Sequence, residues 1–334
     1  MTVAAAKRNL DRAIRAFGDD WLDPRVEDIF VVRPGSYYVR RGTETLEREA
    51  PSLDLITIEA LAVNAGHLRG QDVGEESPVL DCEMPGGERL SAVLYPATPE
   101  GLPSLAIRRA MADEPDLDTL RDQGLFDLVK RKAEGGADIH EERIAQAKAL
   151  LASGDGYGLL LFCVENRWTV VFGGEVASGK TTDMIALAKR IPLHERVVTV
   201  ADTEELSRLP HRNRVSFLHT KDGPVPAERL IEAALRNGPR WLLVPEVRGA
   251  EAFSFLRALA SGHPGMTSLH CRTARDAFKA LTTMIRQHPS GAAIPGTALQ
   301  DMLASLIDVV VHVERGSDGQ FRVTDIAFGR EITA

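Results

Sequence analysis

The sequence predicts a two-part α/β protein, and three observations carry that prediction. Short apolar runs with turn residues between them fill residues 1–112, whereas from Gly154 onward apolar runs alternate with helix-like segments. Between two such segments, Gly174–Thr181 reads GEVASGKT and fits G-x-x-x-x-G-K-[ST]. The expected organisation is an α+β N-terminal domain over 1–112, a helical connector over 113–153 and an α/β domain over 154–334. A length of 334 residues suits two domains, and 44% hydrophobic with 26% charged residues gives each enough to bury a core.

Taken in order, Ala13, Ile14 and Phe17 recur at helical spacing over 11–17. Val26–Val32 and Ser36–Val39 read as strands around the turn Arg33-Pro34-Gly35-Ser36, which is a hairpin pattern. Asp54–Leu68 reads as a helix; Val79–Glu83, Arg89–Tyr95 and Ser104–Ile107 read as strands, with a turn at Met84–Gly87. The connector shows helical patterns at Leu117–Ala133 and Ile139–Leu151, interrupted by Gly135-Gly136. Beyond it, Thr169–Phe172, Val197–Val200 and Trp241–Val244 are continuous apolar runs, as in parallel strands covered on both faces.

With 40 Lys+Arg against 48 Asp+Glu, the net charge of -8 supplies no broad basic field, so stable nucleic-acid binding is not expected. The cysteines, Cys82, Cys163 and Cys271, are scattered and odd in number, which favours a reducing, cytoplasmic compartment over a disulfide framework or zinc site. Lys7, Arg8, Arg12 and Arg15 interrupt the N-terminal apolar residues, so neither a secretory signal nor a membrane span is expected.

The phosphate-loop motif follows the strand Thr169–Phe172 and opens the helix-like run Thr182–Lys189, the context that it requires. Backbone N–H groups from Gly174 through Ala177, Ser178 and Gly179 to Thr182 would face phosphates; Lys180 would reach the β- and γ-phosphates and Thr181 would hold Mg²⁺. Glu246 follows the run Trp241–Val244, at the strand end where ligands bind in open α/β sheets, and suits Mg²⁺ contact through water or polarisation of the attacking water. Asp202, Glu204 and Glu205 cluster after Val197–Val200, where Asp202 or Glu205 serves metal and water, or the group caps the next helix. Ser261–His270 reads as a Gly-rich loop leading into an apolar pair, and His270 is either a γ-phosphate sensor or a structural histidine.

In this order, GEVASGKTT at Gly174–Thr182, VTVADTEEL at 198–206, ALRNGP at Ala234–Pro239, PEVRGAEA at Pro245–Ala252 and SGHPGMTSLH at Ser261–His270 resemble the secretion traffic ATPases, in particular the hexameric ATPases of type IV secretion systems. The resemblance is strong over Gly154–Asp308 and weaker before it. It implies a PAS-like N-terminal domain joined to a RecA-like ATPase domain, with nucleotide held between the two in a ring. Carried over position by position, it implies catalytic roles for Glu205, Glu246, Arg236 and His270, and phosphate contacts from Arg89 and Arg108, for which ordinary surface pairing is the alternative. The chain departs from the family pattern at Ala201, Pro245, Met266, and at Gly238 and Arg240, where many members carry arginine and aspartate.

The resulting expectation is a cytoplasmic, ring-forming ATPase using ATP and Mg²⁺, peripheral at the inner membrane through partner subunits and other secretion ATPases, and powering a type IV secretion or conjugation system. Its rivals are a type IV pilus or type II secretion ATPase, a nucleotide-gated scaffold with negligible hydrolysis, and a helicase. Three scattered cysteines cannot supply the tetracysteine zinc module common in the first group.

Overall fold

A computed structural model describes residues 2–109, 116–129, 139–220 and 223–332. In the N-terminal domain, β1 (Asp28–Arg33), β2 (Ser36–Arg41), β3 (Glu44–Glu49), β4 (Val79–Glu83), β5 (Arg89–Val93) and β6 (Ser104–Arg108) form a sheet in the order β3-β2-β1-β6-β5-β4. Every adjacent pair in it is antiparallel. The period of two sorts its faces. Ile29 and Val31 pack with Leu10, Phe17, Ile58 and Leu61 beneath the helices Val3–Ile14 and Leu55–Leu68. Phe30 and Val32, with Tyr38 and Val93, face the opposite way and share one core with Leu230 and Ala233 of the C-terminal domain.

That second domain is built on β7 (Val170–Gly174), β8 (Val197–Ala201), β9 (Arg214–Leu218), β10 (Trp241–Val244), β11 (Gly265–His270), β12 (Val309–Arg315) and β13 (Phe321–Phe328), ordered β13-β12-β7-β11-β10-β8-β9. All neighbours are parallel except β12 and β13. This is a RecA-like arrangement: the strand before the phosphate loop lies between β12 and β11, and β11 separates it from β10. Parallel pairing aligns the strands' C-terminal ends along one edge, so the loops after β7, β8, β10 and β11 converge there.

Several elements differ from the sequence reading: the helical spacing expected over 11–17 marks only the end of the helix Val3–Ile14, which a 3-10 segment over Arg15–Trp21 follows, and β3 was not expected. The expected Leu117–Ala133 helix is broken after Asp122, because Gly124 takes φ 90° and the Leu125 N–H returns to Leu120 O at 3.0 Å, a helix-terminating pair of features; helix resumes over 127–129. The end of that expected helix, its Gly135-Gly136 interruption and the 112/113 boundary lie outside the described residues. Ser261–His270 is not a loop throughout: from Gly265 it is the buried central strand β11, whose Thr267 and Ser268 masked the apolar pattern. The chain's three cysteines are free, and no helix among the described residues is long and apolar enough to cross a membrane.

Polar contacts join the domains. The Ser104 hydroxyl donates to Asn237 Oδ1 at 2.8 Å, the Leu218 N–H donates to Ala97 O at 2.9 Å, and Arg229 and Arg236 both pair with Asp81.

Candidate active site

The phosphate loop runs from β7 into the helix Lys180–Ala188, which buries Lys180, Met184, Leu187 and Ala188. Within the loop Ala177 adopts φ 58°, a left-handed conformation that a non-glycine residue holds at a cost of roughly 1–3 kcal/mol. Such strain persists where successive N–H groups must point inward to form an anion cradle. Lys180 Nζ donates to Glu175 O at 2.5 Å and lies 3.3 Å from His270 Nδ1. Burial pushes its ammonium below the usual lysine value, and the nearby Glu246 charge opposes that shift.

Strand register brings the other groups to this edge. His270 pairs directly with Gly174 across β11 and β7, so the histidine stands level with the loop. Beside it, the Val247 N–H donates to Ser268 O at 3.0 Å and the Ser268 hydroxyl donates to Pro245 O at 2.7 Å, which fixes the turn that carries Glu246. His270 Nδ1 is also 3.3 Å from Gly174 O. Contacts with the Lys180 donor and a carbonyl acceptor need opposite states of that nitrogen, so only one is a hydrogen bond at a time. His270 Nε2 lies 3.0 Å from Glu246 Oε1, but this buried oxygen has no hydrogen bond among the described residues.

Leu243 pairs with Thr199 across β10 and β8, and three residues beyond each stand Glu246 and Asp202. Arg248 bridges them, donating to Glu246 Oε2 at 2.5 Å and to Asp202 Oδ2 at 3.1 Å. The sequence reading gave Arg248 no role; its place inside PEVRGAEA was the available signal. Glu205 lies in the 3-10 segment Glu204–Arg208 and lines, with Thr181, Thr182 and Arg208, a cleft of about 750 Å³ beside the loop. The structure therefore gathers Lys180, His270, Glu246 and Asp202 in one polar network and Thr181, Thr182 and Glu205 in the adjoining cleft.

The expected arginines are placed elsewhere. Arg89, Arg108 and Arg236 line a separate cleft of about 610 Å³, where Arg236 pairs with Asp81 at 2.8 Å and Arg108 with Asp28 at 3.0 Å. Arg236 ends the helix Ala227–Arg236 and precedes β10, whereas Glu246 follows β10. The four residues of that strand span about 13 Å, so these arginines do not join the phosphate loop within one chain.

The family model for "Type II/IV secretion system protein" matches residues 153–317. VirB11 of Agrobacterium fabrum is 35% identical over 309 residues, covering 90% of this chain and 88% of that protein. The chain belongs to the VirB11 family of type IV secretion ATPases. VirB11 of Brucella suis biovar 1 is 32% identical over 304 residues, 89% of this chain and 83% of its own length. The crystal structure of the VirB11 ATPase from the Brucella suis type IV secretion system, in complex with sulphate, superposes with a TM-score of 0.91 at 29% identity. It covers 99% of this chain and 97% of the Brucella chain, so the likeness includes both domains of the family fold.

Proposed function

We propose that the chain hydrolyses ATP by in-line attack of water on the γ-phosphate, in a hexameric ring that powers type IV secretion or conjugation from the cytoplasmic face of the inner membrane. The observation that carries this reading is the convergence of Lys180, His270 and Glu246 beside a strained phosphate loop. The other secretion ATPases and inner-membrane subunits are its proposed partners. The functional division follows the expected domains, with the clamp over 1–112, the connector over 113–153 and the engine over 154–334.

The residues present suit a nucleotide with Mg²⁺. One buried oxygen at the loop, Ser178 Oγ, has no hydrogen-bond partner among the described residues, and Glu246 Oε1 has only the contact with His270 Nε2 at 3.0 Å, so the site holds polar capacity that protein groups use incompletely. Thr181 and Asp202 would hold Mg²⁺, which when bound neutralises charge on the β- and γ-oxygens. Asp202 becomes available once Arg248 turns away from it. Lys180 exchanges Glu175 O for phosphate oxygens, the N–H groups of Gly174, Ala177, Ser178, Gly179 and Thr182 line the loop, and the Glu246 carboxylate orients the water. His270, placed between Lys180 and Glu246, relays the presence of the γ-phosphate to the carboxylate.

Arg89, Arg108 and Arg236 lie at the opposite edge of the sheet, which supports their acting on the nucleotide of a neighbouring copy in the ring. A second reading, a nucleotide-gated scaffold with negligible hydrolysis, draws on Ala201 in place of an acidic residue and on Arg248 engaging two of the site's carboxylates, Asp202 and Glu246. Steady-state phosphate release from Glu246→Gln and Glu205→Gln separates the readings. Glu246→Gln is expected to bind nucleotide normally and to lose turnover by about 100-fold or more. Normal turnover in both variants would remove both glutamates from the chemistry.

A further inference from the structure

Between the two domains lies a second cleft, of about 330 Å³, lined by Phe30, Arg40 and Arg108 on one side and by Arg196, Gly238 and Arg240 on the other. It opens at the edge opposite the phosphate loop, because Arg196 immediately precedes β8 and Arg240 immediately precedes β10. This cleft shares no lining residue with the cleft beside the phosphate loop, and only Arg108 with the arginine cleft.

Charge is out of balance there. Asp28 is buried and takes both Arg40 and Arg108; Glu27 lies 3.4 Å from Arg40; Glu195 pairs with Arg167. Five guanidiniums thus face three carboxylates, an excess of two. Arg196 is left to neutral partners, donating to Asn237 O at 2.6 Å and Asn213 Oδ1 at 2.5 Å, with its guanidinium 4.1 Å from the centre of the Phe30 ring. The Arg240 side chain has no hydrogen bond or ion pair among the described residues. Partial desolvation disfavours its charge, as do the Arg167 and Arg40 charges, while the Glu195 carboxylate that also lines the cleft opposes them. The Arg240 side chain is exposed, so solvent carries its charge and an anion entering the cleft can take it up.

Space is provided by the same segment. Gly238 takes φ 59°, and a Cβ there would come within 3.0 Å of Phe30 Cζ, so the backbone approaches the aromatic floor as only glycine permits.

We propose that this interdomain cleft binds a small phosphate-bearing anion at a site independent of the phosphate loop. A charge excess of two matches a phosphate dianion, and the guanidinium fork matches its oxygens. Because both domains supply arginines, occupancy favours their present packing over any separated arrangement.

The test uses the full-length Lys180→Ala variant, in which hydrolysis at the phosphate loop is removed in every copy. Inorganic phosphate and pyrophosphate are titrated calorimetrically at constant ionic strength. One saturable equivalent per chain is expected, with a rise in Tm. Adding Arg240→Gln should weaken that binding by about tenfold or more and cancel the rise, while Tm without phosphate stays the same. Arg240→Gln alone should leave basal ATP turnover unchanged, which separates this site from the catalytic one. The proposal is overturned if Lys180→Ala shows no saturable binding, or if binding persists at full strength in Lys180→Ala with Arg240→Gln.

Discussion

Lys180 and Thr181 were legible because a phosphate loop requires particular residue types at fixed spacing, with a strand before it and a helix after it. His270 and Glu246 were legible as candidates, but their proximity depends on β11 lying between β7 and β10, which no local pattern states. Asp308 was not singled out at all, since a lone aspartate before an apolar run looks solvated. In the fold its carboxylate accepts the Thr169 N–H at 2.7 Å, and burial pushes its pKa up to about 6, with that hydrogen bond and the Arg330 charge opposing. The native state therefore holds this proton at pH values where the unfolded chain has released it, so the contribution to stability falls as pH rises from about 4 to about 6. Asp308→Asn keeps an acceptor and removes the titration. Urea unfolding should show the variant gaining on the wild type between pH 4.5 and 7.5, by on the order of 2–3 kcal/mol at most. A difference independent of pH would contradict this.

At the scale of elements, most strands and helices with plain signals were read within a residue or two, the first helix excepted, which starts at Val3 and not near residue 11. The helix Leu55–Leu68 begins at Asp54, whose side chain accepts the Thr57 N–H at 2.8 Å, and β4 and β10 fall on their apolar runs. The missed elements have physical reasons. β3 reads ETLERE and is an edge strand with charged side chains outward, so its pairing with β2 supplies what hydrophobicity does not. β11 hides Thr267 and Ser268 in the centre of the sheet, where their hydroxyls find backbone acceptors. The predicted helix after Leu117 is interrupted around Gly124 and resumes over 127–129. Element direction also decided which edge each residue occupies, and this is why the arginines were grouped with the phosphate loop before the topology was known.

At the scale of the whole molecule, two domains share one core, and the acidic network and the arginine clefts occupy opposite edges of the parallel sheet. In the ring proposed above, the arginines of one copy would meet the nucleotide of the next. Mixing Lys180→Ala chains with Arg236→Gln chains, each inactive alone, should then restore a measurable fraction of turnover, whereas arginines acting within one chain would give none. The central claim is hydrolysis of ATP at the Lys180 loop. Its most direct test is steady-state phosphate release with Mg²⁺ and ATP, measured with native mass for the wild type and Lys180→Ala. The account predicts turnover by a wild-type oligomer and its loss in a Lys180→Ala oligomer of the same mass; undiminished release by Lys180→Ala, or a silent wild type, would contradict it.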